Sequence, residues 1–374
     1  MTASPIHSRR QLPLDELAEA LESGWSFPAW MYTDPDIFAL ELGAVFEPRW
    51  QYLGPLEHVA APGSRLVGEV ASRPVVAVRG DDGELRGFLN VCRHRAYRVV
   101  SDQESGRYLK CGYHGWGYRL DGTLATAPSA PDCIYDDLSL LPVAVDTFCG
   151  GVFAILDPEA PSLTTAHPRL REVAEQAAMN LDAGAYHHVR RVTTHQKANW
   201  KLWYDNAVEC YHCAHIHGES FNRAFAVASE TASADAVAID ELYLNRYAGR
   251  GSSGDELQAT FCTALQMYPG CQIIQQDDLL IMAQALPVAA DRTIFVADYF
   301  AEEGADPASV ERWIKLWVRT YDEDAAALEI QHGNLAASTV DRMRYVEGPE
   351  APVSIINGLT LDAYRQASVP DGDR

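Results

Sequence analysis

Four residues whose side chains bind soft or borderline metals fall in two short stretches, Cys92 and His94 in NVCRHRAY and Cys111 and His114 in KCGYHGWGY. The spacing is C-x-H, sixteen residues, then C-x-x-H, so each pair holds one thiol and one imidazole. A structural zinc site usually pairs Cys with Cys and His with His at short spacing, which leaves zinc as the alternative here. Mixed pairs suit a centre with two different metal ions, one held by two thiolates and the other by two imidazoles. A second group lies in NWKLWYDNAVECYHCAHIHG, where His212, His215 and His217 sit within six residues of one another, beside Glu209. Neutral imidazole is the commonest metal ligand. On a regular helix His212 shares a face with His215. His217 meets His212 only if the helix distorts or ends before Gly218.

Two imidazoles need a carboxylate to complete a facial triad that leaves positions open for oxygen. Helical arithmetic offers one. On DPASVERWIKLWVRTYDEDAAALEIQHGN, at about 100° per residue, Trp313, Trp317, Thr320, Tyr321, Leu328 and Gln331 share one face. Asp324 falls in its middle, Asp322 opposite and Glu323 on the flank, while Lys315, Arg319 and Glu329 take the solvent side. A carboxylate inside an apolar stripe is costly unless paired or metal-bound. Asp324 is therefore the candidate, with Glu323 as the alternative.

The elements that must position these groups change character along the chain. Residues 12–50 read as helical. From 51 to about 157, segments such as SRLVGEV, RPVVAVRG and ELRGFLNV are short, β-branched and separated by turns, an antiparallel pattern, with a hairpin turn at Asp121-Gly122. A linker follows, then a helix over 199–217, strands near 236–248, 258–268, 271–285 and 292–301, and a long helix over 307–335. Residues 345–374 read as loop with a short helix at 359–367. The fold class is α+β.

The 374 residues (41.2 kDa) correspond to two or three domains. Thirty Lys+Arg against 52 Asp+Glu give a net charge of −22. That excess disfavours nucleic acid and anionic membrane surfaces as partners. No apolar run reaches the about 18 residues of a membrane span, and the first residues lack a signal-peptide core; the expected compartment is the cytoplasm. Eight cysteines there are expected as thiols or metal ligands, not disulfides. Cys133, Cys149, Cys262 and Cys271 are expected to be buried thiols. No G-x-G-x-x-G follows a strand, so a nicotinamide or flavin is expected on another protein.

CRHR followed by CGYHGW resembles the Rieske domain of the ring-hydroxylating oxygenase family, and Asn206, Glu209, His212 and His217 match its mononuclear-iron motif N-x-x-[DE]-x-x-H-x-x-x-x-H. The N-terminal PAWMYTDPDIFALELGAVFEPRWQYLG is also similar to the family. The resemblance implies an N-terminal helical segment (1–47) packed on the catalytic domain, an inserted Rieske antiparallel β domain (48–157), and a helix-grip-like, START-like catalytic domain (158–374). It implies a [2Fe–2S] cluster on Cys92, His94, Cys111 and His114, with Tyr113 and Trp116 beside it. It further implies Fe(II) on His212, His217 and Asp324, with Asn206 nearby and Glu209 as the carboxylate linking the two centres between subunits. O2 would be the cosubstrate. The partners implied are an NAD(P)H-dependent reductase, with or without a ferredoxin, and further copies of the chain in a trimer. The expected reaction is mono- or cis-dihydroxylation of a small aromatic substrate. Alternatives are oxidation of a quaternary or N-methyl amine, and a non-enzymatic electron-transfer or redox-sensing role. Phe261, Met267, Tyr268 and Trp313 are the expected pocket residues.

Overall fold

Short β-branched stretches ending in Gly and Asp turns build one of the two compact units, which spans residues 47–168 and 181–184. This computed structural model describes residues 12–101, 105–130, 138–226, 237–239, 241–250 and 259–368; Cys133 lies outside them. The unit contains, in chain order, β1 (Gln51–Pro55), β2 (Arg65–Val70), β3 (Arg73–Arg79), β4 (Leu85–Leu89), β5 (Leu109–Lys110), β6 (Gly117–Tyr118), β7 (Leu124–Thr126), β8 (Pro142–Phe148) and β9 (Gly151–Ile155). Six form an antiparallel sheet in the order β1-β9-β8-β4-β3-β2, and β5-β6-β7 form a second, smaller one. The predicted Asp-Gly turn is present. Asp121 Oδ1 accepts from Thr123 N at 2.9 Å, and Gly122 has φ 86°. A Cβ at Gly122 would come within 2.4 Å of the Phe88 ring, so the position requires glycine twice over. Val76, Val78, Phe88, Leu109, Tyr118 and Leu124 form the core beneath the two metal-ligand loops.

The second unit takes the chain through Phe46, then 169–180 and 185–374. The helical reading of 12–50 resolves into α1 (Leu14–Glu22), α2 (Trp30–Thr33), α3 (Pro35–Glu41) and one π turn (Leu42–Phe46). Short α4 (Leu163–Ala166) stays with the β unit, where Leu163 N donates to Asp146. The strands β10 (Tyr186–Gln196), β11 (Phe225–Ala226), β12 (Val237–Ile239), β13 (Leu242–Gly249), β14 (Phe261–Met267), β15 (Cys271–Gln276), β16 (Leu279–Ala289) and β17 (Arg292–Glu302) make an antiparallel sheet of order β10-β17-β16-β15-β14-β13-β11, with β12 on β13. The stretch 271–285, expected as one strand, is two, because the chain turns at Asp277, whose φ is 45°.

Five more helices of the unit, in chain order, are α5 (Leu170–Gln176), α6 (Trp200–Ala207), α7 (Cys213–Ile216), α8 (Phe221–Ala224) and the 30-residue α9 (Pro307–Ala336). Asp306 caps α9, accepting from Ala308 N and Ser309 N, and Pro307 occupies its first turn. Trp317 Nε1 and Tyr321 OH donate to Gln276 and Gln272 of β15, at 2.7 and 3.0 Å, so the predicted apolar face of α9 lies on the sheet. Gln331, placed on that face by arithmetic, is exposed. The C-terminal helix, expected only over 359–367, begins eight residues earlier. A last helix, α10 (Ala351–Ser368), forms, with Ile356, Leu361 and Tyr364 buried. Its Tyr364 donates to Glu41 of α3, which also takes Trp200 Nε1 (2.8 Å) and the Lys201 ammonium of α6. A carboxyl group is tolerable in a core only with such hydrogen-bond partners.

Candidate active site

Two loops of the β unit repeat one turn. Cys92 N donates to Tyr97 O and Cys111 N to Trp116 O, both at 2.8 Å. Each cysteine carbonyl accepts from the residue four on, Ala96 and Gly115, and both of those have positive φ (54° and 73°). The repeated turn buries both sulfurs, while His94 and His114 stay exposed with ring centroids 4.7 Å apart. Trp116 stacks on His94 at 4.8 Å and 8°, and Tyr113 lies against His114 at 3.8 Å. Burial pushes the Cys111 thiol up, and the backbone N–H groups of Tyr113 and His114 aimed at its sulfur pull the other way. Buried sulfurs under N–H donors beside two imidazoles are a donor set that fits an iron–sulfur cluster with inequivalent irons. The sequence reading passed over Tyr118. Its hydroxyl lies 3.3 Å from Cys92 Sγ and accepts from Arg93 N.

The second site is built by a broken helix. α6 ends at Ala207, a turn carries Glu209, and the four-residue α7 begins after His212 and stops before His217. His217 leaves the helical conformation (φ −102°, ψ 31°), which lets two histidines five apart converge. Their ring centroids are 5.2 Å apart. His215 is exposed and takes no part. Asp324 of α9 comes between them, with Oδ1 3.1 Å from His217 Nε2 and 3.5 Å from His212 Nε2. That oxygen is buried and has no hydrogen bond of its own. Donors about 2.0–2.2 Å from a shared ion stand roughly 3 to 3.5 Å apart, and both separations of Asp324 Oδ1 from the imidazole nitrogens fall in that range.

Each imidazole is oriented through its other nitrogen. His212 Nδ1–H donates to Glu209, which also accepts from Tyr211 N. His217 Nδ1–H donates to Glu323 at 3.0 Å, and Glu323 is itself held by Ser220 and by Arg319 (2.9 Å). Glu323, the alternative ligand, thus lies behind His217, while Asp324 faces both Nε2 atoms. Burial opposes protonation of His212, but Asp324 and Glu209 outweigh it and raise its pKa to about 10. Burial would raise Asp324, and the two histidines hold it well below the usual carboxylate range.

The cavity in front of these groups is lined by Trp203, Asn206, Phe221, Tyr247, Trp317 and Tyr321, among others. No Lys or Arg lines it among the described residues. The expected pocket residues are not part of it. Tyr268 bonds Thr360 and packs on Trp200 and Tyr204, and Trp313, one turn earlier on α9, stacks on Phe225. Phe261 and Met267 occupy the ends of β14, and the cavity lining takes Ala264 from the middle of that strand. Two further lining residues, Cys210 and Cys213, are joined in a disulfide, against the expectation of thiols. The turn brings their Cα atoms to 5.0 Å, within bonding range. Their C-x-x-C spacing was the missed signal. The described cysteines outside this pair form no disulfide.

Two family models match the chain. Residues 49–147 match the Rieske [2Fe-2S] domain, and residues 183–356 match the ring hydroxylating alpha subunit catalytic domain. A glycine betaine monooxygenase oxygenase subunit of Chromohalobacter salexigens is 34% identical over 58% of this chain and 48% of its own. A carnitine monooxygenase oxygenase subunit of Escherichia coli K12 is 33% identical over 52% of this chain and 53% of its own. The chain spans about half the length of the curated relatives it matches. A chlorobenzene dioxygenase alpha subunit of a Cupriavidus strain is 31% identical over 58% of this chain and 50% of its own. The solved structure of a quaternary ammonium Rieske monooxygenase superposes with a TM-score of 0.83 at 22% identity, covering 95% of this chain and 99% of the other. No helix among the described residues is long and apolar enough to cross a membrane.

Proposed function

Because the chain belongs to the Rieske non-haem iron ring-hydroxylating oxygenase family, we propose that it is a terminal oxygenase acting on a quaternary or N-methyl ammonium compound. The observation that carries this reading is the aromatic cavity in front of His212, His217 and Asp324, lined by Trp203, Phe221, Tyr247, Trp317 and Tyr321 with Glu209 and Asp324. Ring faces attract a cation most when it is desolvated, and the acidic lining adds to that attraction. The names of the betaine and carnitine relatives point the same way, in place of the aromatic substrate expected first.

His212, His217 and Asp324 would hold Fe(II), and Cys92, His94, Cys111 and His114 the [2Fe–2S] cluster; when bound, the two groups supply electrons to O2 one at a time. Glu209 and Glu323 each take an Nδ1–H, which fixes both imidazoles in the tautomer that turns Nε2 toward the metal. Asp324 supplies the anionic donor. Phe221 and Trp317, with ring centroids 5.5 Å apart, form part of the cavity's apolar wall. The rings hold the ammonium so that an N-methyl group faces the three donors. Hydroxylation of that methyl would give an N-hydroxymethyl group whose N–C bond breaks to release an aldehyde and the amine, with one O2, two electrons and two protons consumed and the second oxygen atom leaving as water. A separate NAD(P)H-dependent reductase supplies those electrons. In a ring of three copies, Glu209 links the centres of neighbouring subunits.

The test is O2 uptake by the iron-loaded protein with a reductase, against a panel of N-methyl ammonium compounds and arenes. Substrate-dependent uptake with aldehyde release supports the proposal. A phenol or dihydrodiol would restore the arene reading, which the dioxygenase relative favours. No uptake with either class, with both metals loaded, would favour a pure electron-transfer role.

A further inference from the structure

Cys210 and Cys213 have no part in the reading above, yet they sit inside the motif that holds the metal. Cys213 is the first residue of α7, directly after His212, and Cys210 directly follows Glu209. Both are buried and both line the cavity. Cys213 Sγ lies 3.7 Å from His212 Nε2, the nitrogen that faces Asp324. Donor atoms of His212, Cys213 and His217 all lie within 4.8 Å of one another. An imidazole nitrogen about 2.0–2.1 Å and a thiolate about 2.3 Å from one tetrahedral zinc are roughly 3.6 Å apart. The sulfur is therefore placed to share an ion with the histidines, and the bond to Cys210 occupies it.

We propose that Cys210 and Cys213 form a dithiol–disulfide couple that selects the metal at this position. As the disulfide, they leave two histidines and one carboxylate, an oxygen- and nitrogen-donor set with open positions that suits Fe(II). As the dithiol, Cys213 adds a thiolate and completes a four-donor set that suits Zn2+. The inference rests on the mononuclear-metal reading of His212, His217 and Asp324. The oxidant is a peroxide, which reaches the pair through the cavity. Two thiols and H2O2 give one disulfide and two waters: the O–O bond breaks, the S–S bond forms, each sulfur loses one electron, and the thiol protons leave in the water. An external dithiol reverses the step by exchange.

The test uses the full chain with its cluster intact and the mononuclear metal removed by chelation, then loaded with Zn2+. X-ray absorption at the zinc edge should show a sulfur neighbour near ~2.3 Å in dithiol-treated protein. That neighbour should be lost after treatment with H2O2 and lost in Cys213→Ser, and retained in dithiol-treated Cys210→Ser. Alkylation under denaturing conditions should label both cysteines of the 210–213 segment before peroxide and neither after it. A reduced protein whose zinc has no sulfur neighbour, a sulfur neighbour that survives in Cys213→Ser, or labelling that peroxide does not change would overturn the proposal. If zinc binds without sulfur but is released by His212→Ala, the switch fails and the metal reading stands. If His212→Ala and Asp324→Ala leave zinc bound as before, both fail.

Discussion

Glu323→Gln separates two adjacent carboxylates on α9 that the chain order alone does not tell apart. In the structure Glu323 accepts from His217 Nδ1 at 3.0 Å and is held by Ser220 and Arg319, whereas Asp324 faces both Nε2 atoms at 3.1 and 3.5 Å. The glutamine keeps shape and volume but loses the charge, and its NH2 group can face Nδ1 in place of an acceptor. Losing such a partner behind a ligand typically weakens metal binding by about 10–100-fold, or roughly 1.4–2.8 kcal/mol. Removing a ligand outright, as in Asp324→Ala, should leave no stoichiometric mononuclear metal while the cluster keeps its absorption. The assay is Fe(II) or Co(II) binding in competition with a chelator of known affinity, under anaerobic conditions, on wild type and both variants. Metal retained in Asp324→Ala and lost in Glu323→Gln would exchange the two roles and refute the reasoning. Unchanged affinity in Glu323→Gln would show that the His217 Nδ1 bond contributes nothing to the site.

Three other outcomes are expected. Glu209→Gln should leave both centres loaded at saturating iron and slow single-turnover reoxidation of the cluster; a normal rate would remove Glu209 from the link between centres. Burial raises the Asp205 carboxyl to about 7, against the pull of Asn357, Lys201 and Tyr345. A raised acid contributes stability that is complete below its unfolded pKa of about 4 and is lost as pH rises through 7. Wild type should therefore lose about 2–3 kcal/mol relative to Asp205→Asn between pH 5 and pH 8, the roughly two pKa units between pH 5 and 7 being worth about 1.4 kcal/mol each. Denaturant titrations at both pH values check this, and a pH-independent difference would contradict it. Trp317→Leu should raise KM for an ammonium substrate by about 3–30-fold, the worth of a cation–π contact, and leave KM for its neutral isostere within about 2-fold; equal effects on both would mean the ring only packs.

Local chemistry was readable from the chain wherever it depends on spacing. The C-x-H and C-x-x-H pairs lie in adjacent turns because each turn is a few residues long and closes on its own backbone. Asp324 was readable because a helix repeats every 3.6 residues, and a buried carboxylate breaks an apolar face wherever it falls. The −22 charge needs no structure at all. What spacing could not decide depends on where chain segments meet. His217, and not His215, joins His212 because α7 stops at Ile216, and Glu323 lies behind His217 only because α9 crosses that turn at this register. Tyr118 reaches Cys92 across 26 residues, and Tyr364 of α10 reaches the buried Glu41 across 323. The five cavity rings come from four separate elements, which is why the strand residues chosen by composition did not line it. Periodicity reports which face of an element is apolar; only tertiary packing sets what that face meets, since the partner lies far along the chain and shares no period with it.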